Sequence, residues 1–230
     1  MKTPTPMGPF PSPLILWKSL ADSLFKSGMN PVNYDVQISC FWEQFLVDYP
    51  DIGYKREGNK LKRLIKTYLL SSEIEKFNRK RLEVVKKKKD FVLLFRFGNQ
   101  EKNTSKVADF CLLSATFIFT SGKLRRVHVF YRTSEAVTKF LADLVFLDGI
   151  FRNVLFLDMT NVEVKFFFTR IYIKYFHFLN YVRICKKFNL EDPSNEYEWG
   201  KELIEKTKKG FSPKYCSGKR VAEKFREEMG

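Results

Sequence analysis

The alternation of apolar and polar positions is most informative between residues 107 and 143. The run VADFCLLSATFIF is almost wholly apolar or β-branched from Phe110 to Phe119, which predicts a strand buried on both faces. Ser121-Gly122 predicts a tight turn, and LRRVHVFYR then alternates charged and apolar side chains like a half-buried strand. The pattern therefore predicts a β-hairpin, with Cys111 near the start of its first strand and Arg132 at the end of its second.

A buried helix is predicted directly after the hairpin. Thr133-Ser134-Glu135 has the composition of a helix N-cap with an acid in the first turn, and AVTKFLADLVFL supplies the apolar helix. This order places the thiol of Cys111 and the guanidinium of Arg132 at one end of the hairpin, with a helix N-terminus behind them. Such a corner suits a phosphate and a thiolate.

The rest of the chain predicts a mixture of helices and strands. Residues 1–14 are Pro-rich and predict a flexible tail, 15–188 form an α/β domain, and 189–230 form a basic helical C-terminal appendage. Helical periodicity extends over 14–26, 36–47 and 71–89, and strands are expected at 91–97 and 162–173.

Composition narrows the classes of partner. The chain of 230 residues predicts one domain, and its 41 Lys+Arg against 26 Asp+Glu favour nucleotides, nucleic acid or acidic surfaces, with charge for solubility as the alternative. Basic and aromatic residues interleave in RLIKTYLL, KLRRVHVFYR and RIYIKYFHF, which is also typical of a nucleic-acid-binding protein of viral or ribosomal type.

Targeting and metal signals are weak. The four cysteines show no CxxC spacing, so no zinc or other metal site is predicted. No apolar run reaches about 18 residues, so no membrane span is expected. The Pro-rich N-terminus does not have the form of a secretory signal, and we expect a reducing, cytoplasmic setting.

The central residues resemble the thymidylate synthase superfamily, which includes the thymidylate synthases and the pyrimidine-nucleotide hydroxymethylases. The resemblance is carried by CLLSATF from Cys111, GKL from Gly122 and YRTSE from Tyr131. It implies an α/β (α+β) fold with a central mixed β-sheet covered by helices, in a homodimer. It also implies that Cys111 adds to C6 of a pyrimidine nucleoside monophosphate, with 5,10-methylene-tetrahydrofolate as the one-carbon donor and a methyl or hydroxymethyl group as the product at C5.

The same resemblance assigns residues that bind the nucleotide. Arg132 would hold the phosphate and help ionise the thiol, and Thr133 would add a hydroxyl contact. Tyr172 matches the tyrosine of a His-x-Tyr pair that binds the sugar, whereas Arg170 stands in place of the histidine.

The resemblance assigns four further residues, and for three of them there is an alternative interpretation. Glu43 is placed where the family keeps a proton-transfer glutamate in a Trp/Leu-rich helix, although an outward-facing acid has the same signature. Tyr68 stands near the position of a family tyrosine. Lys88 and Lys89 replace an arginine pair that reaches a phosphate across the dimer, and a solvated charge run is the alternative.

Asp143 bears on the choice of base. It lies eleven residues after Arg132, where thymidylate synthases place an asparagine that contacts the pyrimidine. A carboxylate only accepts hydrogen bonds, so it favours the amino group and protonated N3 of cytosine, as in the cytidylate (dCMP or CMP) hydroxymethylases. A surface acid on a helix is the alternative. Glu135 in place of an Asp and Lys139 in place of a Gly depart from the family pattern, and a catalytically degenerate relative remains open.

Overall fold

A computed structural model describes residues 7–27, 36–42, 45, 47, 50, 68–98 and 111–209. The strands are β1 (Met7–Phe10), β2 (Val36–Phe41), β3 (Phe91–Arg96), β4 (Leu112–Thr120), β5 (Lys123–Glu135) and β6 (Glu163–Tyr172). The helices are α1 (Pro13–Lys26), α2 (Ser71–Lys86), α3 (Lys139–Gly149), α4 (Phe178–Lys187) and α5 (Glu198–Lys208). A π-helical segment, Ile150–Val154, continues α3.

The strands form one sheet in the order β1-β2-β6-β5-β4-β3. The pairs β1/β2 and β5/β6 are parallel, and the other three pairs are antiparallel. The predicted class, a mixed sheet with helices, is therefore confirmed. The predicted hairpin is β4 and β5, joined at Ser121 and Gly122.

The described helices pack against one face of the sheet. Phe140 of α3 contacts Phe166 of β6 edge-to-face, with ring centroids 5.3 Å apart, and Phe77 of α2 contacts Phe117 of β4 at 4.8 Å. The opposite face, called here the open face, carries apolar side chains that no described helix covers. They are Val92, Leu94, Ile118, Phe130 and Phe167, of which Val92 is 57% exposed and Leu94 52%.

One-sided packing corrects the prediction for β4. Ala115, Phe117 and Phe119 are buried, whereas Thr116 and Ile118 are only half-buried. The expected burial on both faces is wrong, because the helices that the structure describes cover only one face of β4.

The predicted helix at 36–47 is also wrong at its start, because Val36–Phe41 is strand β2. All six of its residues pair with β6, from Val36 opposite Phe168 to Phe41 opposite Glu163. This long-range pairing overrides a local helical periodicity.

Both ends of the described chain join the core. Met7–Phe10 pairs with β2, so these residues belong to the sheet and not to a flexible tail. On α5, Trp199 packs 4.8 Å from Phe178 and 5.8 Å from Phe25, so the first part of the expected appendage belongs to the same hydrophobic cluster. Residues 210–230 lie outside the described part of the chain. Among the described residues, no helix has the length and apolar character to cross a membrane.

Candidate active site

Cys111 and Arg132 lie opposite each other at the end of the β4–β5 pair. The backbone N–H of Arg132 donates to the carbonyl of Cys111 at 2.8 Å, next to the paired residues Leu112 and Tyr131. Residues directly opposite in an antiparallel pair project their side chains on the same side. The guanidinium of Arg132 is near enough to the Cys111 thiol to lower its pKa. The structure thus brings the predicted nucleophile and phosphate ligand together.

Tyr68 fixes the backbone around the thiol. Its hydroxyl accepts hydrogen bonds from the backbone N–H groups of Cys111 and Leu112, and its carbonyl accepts from Gly98 N at 3.0 Å. The ring packs 5.8 Å from that of Phe146 on α3. Burial, with a contribution from nearby Asp143, raises the pKa of Tyr68 to about 12, so the side chain is a neutral phenol at physiological pH.

Asp143 faces this corner from the half-buried side of α3. Its charge acts on the thiol of Cys111 and on the hydroxyls of Tyr68 and Tyr131. The structure therefore directs this acid toward Cys111 and does not leave it on an exposed helix surface.

The ionisation of Cys111 reflects opposing neighbours. Burial raises the pKa of the thiol most strongly and Asp143 raises it further, whereas Lys139 and Arg132 lower it. The net shift is upward. Cys111 is therefore a thiol in the free protein, and a ligand that neutralised Asp143 would move the balance toward the thiolate.

Tyr131 is a site residue to which sequence reasoning gave no role. Its side chain is buried beside Cys111, Tyr68 and Asp143, and its hydroxyl has no hydrogen-bond partner. An unsatisfied buried hydroxyl costs about 1–3 kcal/mol. Its place directly before Arg132, facing inward on an alternating strand, was the available signal. This hydroxyl can still donate to a polar ligand.

Thr133 and Tyr172 lie on neighbouring parallel strands at the same end of the sheet. Thr133 of β5 pairs with Arg170 of β6, and Glu135 pairs with Tyr172. The guanidinium of Arg170 lies 5.9 Å from the centre of the Tyr172 ring. Thr133 and Tyr172, assigned to the phosphate and the sugar, thus lie at the same end of the sheet as Cys111 and Arg132.

Glu135 anchors the beginning of α3, although not as predicted. The expected N-cap at Thr133-Ser134-Glu135 is wrong, because β5 continues through Glu135 in register with β6 and α3 begins at Lys139. The Glu135 carboxylate accepts from the backbone N–H groups of Val137 at 3.0 Å, Thr138 at 2.9 Å and Lys139 at 3.3 Å. The Thr138 hydroxyl donates to it at 2.7 Å.

His177 completes the environment of Glu135. Its Nδ1 lies 2.9 Å from the Glu135 carboxylate, which is 1% exposed. Burial alone would raise the pKa of Glu135, but the interactions with His177 and Thr138 outweigh it and hold the pKa below its usual value. Glu135 is therefore a buried, ionised carboxylate that positions the start of α3, the helix that carries Asp143.

Lys88 and Lys89, the two lysines assigned to a phosphate, lie at the opposite end of β4 from Cys111. Gly122 N, in the β4–β5 turn, donates to the carbonyl of Lys89 at 3.0 Å. The nine residues of β4 separate this turn from Cys111, a span of about 30 Å at 3.3 Å per residue. Lys88 and Lys89 therefore cannot reach the Cys111 corner of their own chain. Glu43 lies outside the described residues.

The chain matches no family model, and a comparison with curated proteins finds no match. Assignments at the Cys111 corner therefore rest on its geometry and on the motif residues.

Proposed function

We propose that this protein is a pyrimidine nucleotide C5-methyl- or hydroxymethyltransferase of the thymidylate synthase type, with cytidylate as its preferred substrate. One observation carries the proposal. A half-buried thiol, Cys111, lies opposite Arg132 at the end of the β4–β5 pair, where the Cys111 carbonyl accepts from Arg132 N at 2.8 Å, and the charges of Arg132 and Asp143 both act on the thiol.

The nucleophile would be the Cys111 thiolate. By the chemistry that the resemblance implies, it adds to C6 of the pyrimidine, and the electron pair displaced onto C5 makes that carbon nucleophilic. Arg132 is exposed, so its guanidinium can bind the phosphate, and Thr133 can add a hydroxyl contact.

Asp143 would couple recognition of the base to ionisation of the thiol. Its carboxylate can accept from the amino group and protonated N3 of cytosine. That pairing would offset the negative charge that raises the pKa of Cys111, leaving the favourable effects of Lys139 and Arg132. Binding of cytosine would thus favour ionisation of Cys111 and its addition to C6 of that base.

The one-carbon donor is proposed, from the resemblance alone, as 5,10-methylene-tetrahydrofolate, which would supply the methylene unit. The Tyr131 hydroxyl has no hydrogen-bond partner, so it can donate to a polar group of the nucleotide. No residue of this chain is assigned to the pterin ring. The proposed steps therefore concern only this chain's residues and the nucleotide.

A catalytically degenerate relative is the second candidate. The observation that favours it is the raised pKa of Cys111, because a thiol that stays protonated with substrate bound would not attack C6. Binding without chemistry would then be the expected behaviour.

The test is release of tritium from C5 of labelled cytidine and uridine monophosphates, in ribo and deoxy forms, with and without methylene-tetrahydrofolate. Loss of tritium requires addition at C6, so it reports the covalent step even where the full reaction stalls. We expect release from cytidylate by the wild type and none by Cys111→Ser. Cys185→Ser is the matched control, because Cys185 is a buried thiol on α4.

Two outcomes would overturn parts of the proposal. Tritium release that survives in Cys111→Ser would exclude the assigned nucleophile. Nucleotide binding by the wild type with no release from any of the four substrates would select the degenerate relative.

A further inference from the structure

Six cations at the end of the sheet opposite Cys111 make no ion pair with any described carboxylate. They are Arg81, Lys86, Lys88, Lys89, Lys123 and Arg125, and together they are called here the basic end. Two neighbours are paired, since Lys87 lies 3.1 Å from Glu83 and Arg126 lies 3.3 Å from Glu163. The basic end therefore concentrates positive charge that the described chain does not neutralise.

Close packing of the β4–β5 turn holds the two halves of the basic end together. Gly122 has φ +74°, and a Cβ on it would lie 3.0 Å from the Cα of Lys88 and 3.1 Å from the carbonyl oxygen of Val85. The Asp90 carboxylate accepts from Ser121 N at 2.6 Å. The lysine run after α2 is thus fixed against the start of β5, where Lys123 and Arg125 lie.

A groove of about 420 Å³ opens within the basic end. Its charged and polar lining is Arg81, Lys123, Arg125, Asp158, Thr160 and Asn161. Asp158 is the one carboxylate among its lining residues, and it already accepts from Thr160 N at 3.0 Å. The groove therefore keeps a surplus of positive charge.

Arg81 gives the groove an unused donor. Its Nε is buried and has no hydrogen-bond partner, and burial lowers the pKa of its guanidinium. A buried cationic N–H without an acceptor is unfavourable, and an anionic oxygen in the groove would satisfy it.

We propose that the basic end binds nucleic acid through the phosphate backbone. The four strand ends from β3 to β6 span about 14 Å at 4.8 Å between neighbours, so the surface is wide enough for several successive phosphates of one strand. A single small phosphate would occupy the groove and leave Lys86, Lys88 and Lys89 unused. The site lies at the far end of β4 from Cys111, so it stands independently of the proposed enzyme activity.

The experiment measures binding of the full chain to fluorescent 20-nucleotide single strands and to the corresponding duplex at several salt concentrations. If all six cations contact phosphates, log K for the single strand should fall with log salt at a slope of about −4, at about −0.7 per contact. Arg81→Gln/Lys123→Gln/Arg125→Gln should reduce the slope to about −2 and weaken binding by about tenfold or more at physiological salt.

The matched control removes the same three charges elsewhere. Lys26, Lys186 and Lys201 lie on α1, α4 and α5 and are within 3.8, 3.1 and 2.6 Å of a carboxylate. Lys26→Gln/Lys186→Gln/Lys201→Gln should keep the wild-type slope. If the first triple variant does not fold, Lys88→Gln/Lys89→Gln, which changes only exposed residues, should still reduce the slope by about 1.4.

Equal losses in the two triple variants would show that net charge and not this surface binds the nucleic acid. Inorganic pyrophosphate that binds the wild type as tightly as the oligonucleotides do would show a site for a small phosphate. Either result overturns the proposal. Tritium release from C5 should be the same in the Arg81 triple variant as in the wild type, which separates this site from the Cys111 corner.

Discussion

Replacing Glu135 with Gln should markedly lower the free energy of unfolding. The carboxylate is 1% exposed, accepts from three backbone N–H groups and the Thr138 hydroxyl, and lies 2.9 Å from His177. Glutamine keeps the shape but removes the charge, and its amide NH₂ must face donors. The Nδ1 of His177 then faces a neutral amide in place of the carboxylate.

The expected size follows from these contacts. Each hydrogen bond to a charged group contributes about 1.5–3 kcal/mol, and four donors share this carboxylate, so removing its charge should cost about 3–5 kcal/mol. For a chain of this length, 1 kcal/mol shifts the melting temperature by about 2–4 °C, so a fall of about 10 °C is expected. Differential scanning calorimetry at neutral pH measures it. Glu198→Gln is the control, because Glu198 is exposed and its pair with Lys201 should contribute less than about 1 kcal/mol.

The pH dependence tests the cause. The pKa of Glu135 is lowered by folding, so its stabilising contribution is present above the ordinary carboxyl value of 4.5 and is lost as the pH falls through the folded pKa. The difference in melting temperature between wild type and Glu135→Gln should therefore be complete near pH 6 and shrink below pH 4.5. A difference under about 2 °C at pH 6, or one that grows in acid, would refute the assigned role.

Two further predictions address the base and the assembly. Asp143→Asn should shift the ratio of kcat/KM for C5 exchange toward uridylate by about tenfold or more, because an amide can also donate to O4 of uracil. An unchanged ratio would mean that Asp143 does not contact the base. We also propose a homodimer formed through the open face. Sedimentation at micromolar concentration should give twice the 27.3 kDa of one chain, Leu94→Glu should give monomers, and Leu82→Glu, at an equally exposed leucine on α2, should not.

Local patterns predicted the central hairpin well, because both of its determinants are short-range. Ser121-Gly122 marks the turn, and the alternation in LRRVHVFYR marks the second strand. The errors arose where long-range pairing decides the structure. Val36–Phe41 became a strand because β6 pairs with it, and Glu135 remained in β5 because Tyr172 of β6 lies beside it.

At the site, spacing along the chain predicted that Cys111 and Arg132 would meet, since a tight hairpin sets that register. It could not predict the side chains that surround the thiol. Tyr131 of β5 is buried beside Cys111, and Lys139 comes near the thiol because α3 packs on the sheet. The start of α3 is held by Glu135, which His177 contacts from a distant segment of the chain. The phosphate contact across a dimer by Lys88 and Lys89 stays a prediction, because sequence matching alone carries no information about how two chains would meet.

The distribution of charge separates the two proposed functions physically. Among the described residues at the Cys111 corner, Arg132 and Lys139 oppose one acid, Asp143, in setting the pKa of the thiol, a balance suited to binding one nucleotide. At the other end of β4, six cations surround an open groove whose one lining carboxylate is already hydrogen-bonded. The two sites lie about 30 Å apart along the strand, more than three Debye lengths at physiological salt, so the charges of one contribute little to the field at the other. The excess of 15 positive charges is therefore not explained by nucleotide chemistry alone, and salt-dependent binding and C5 exchange should be separable by mutation.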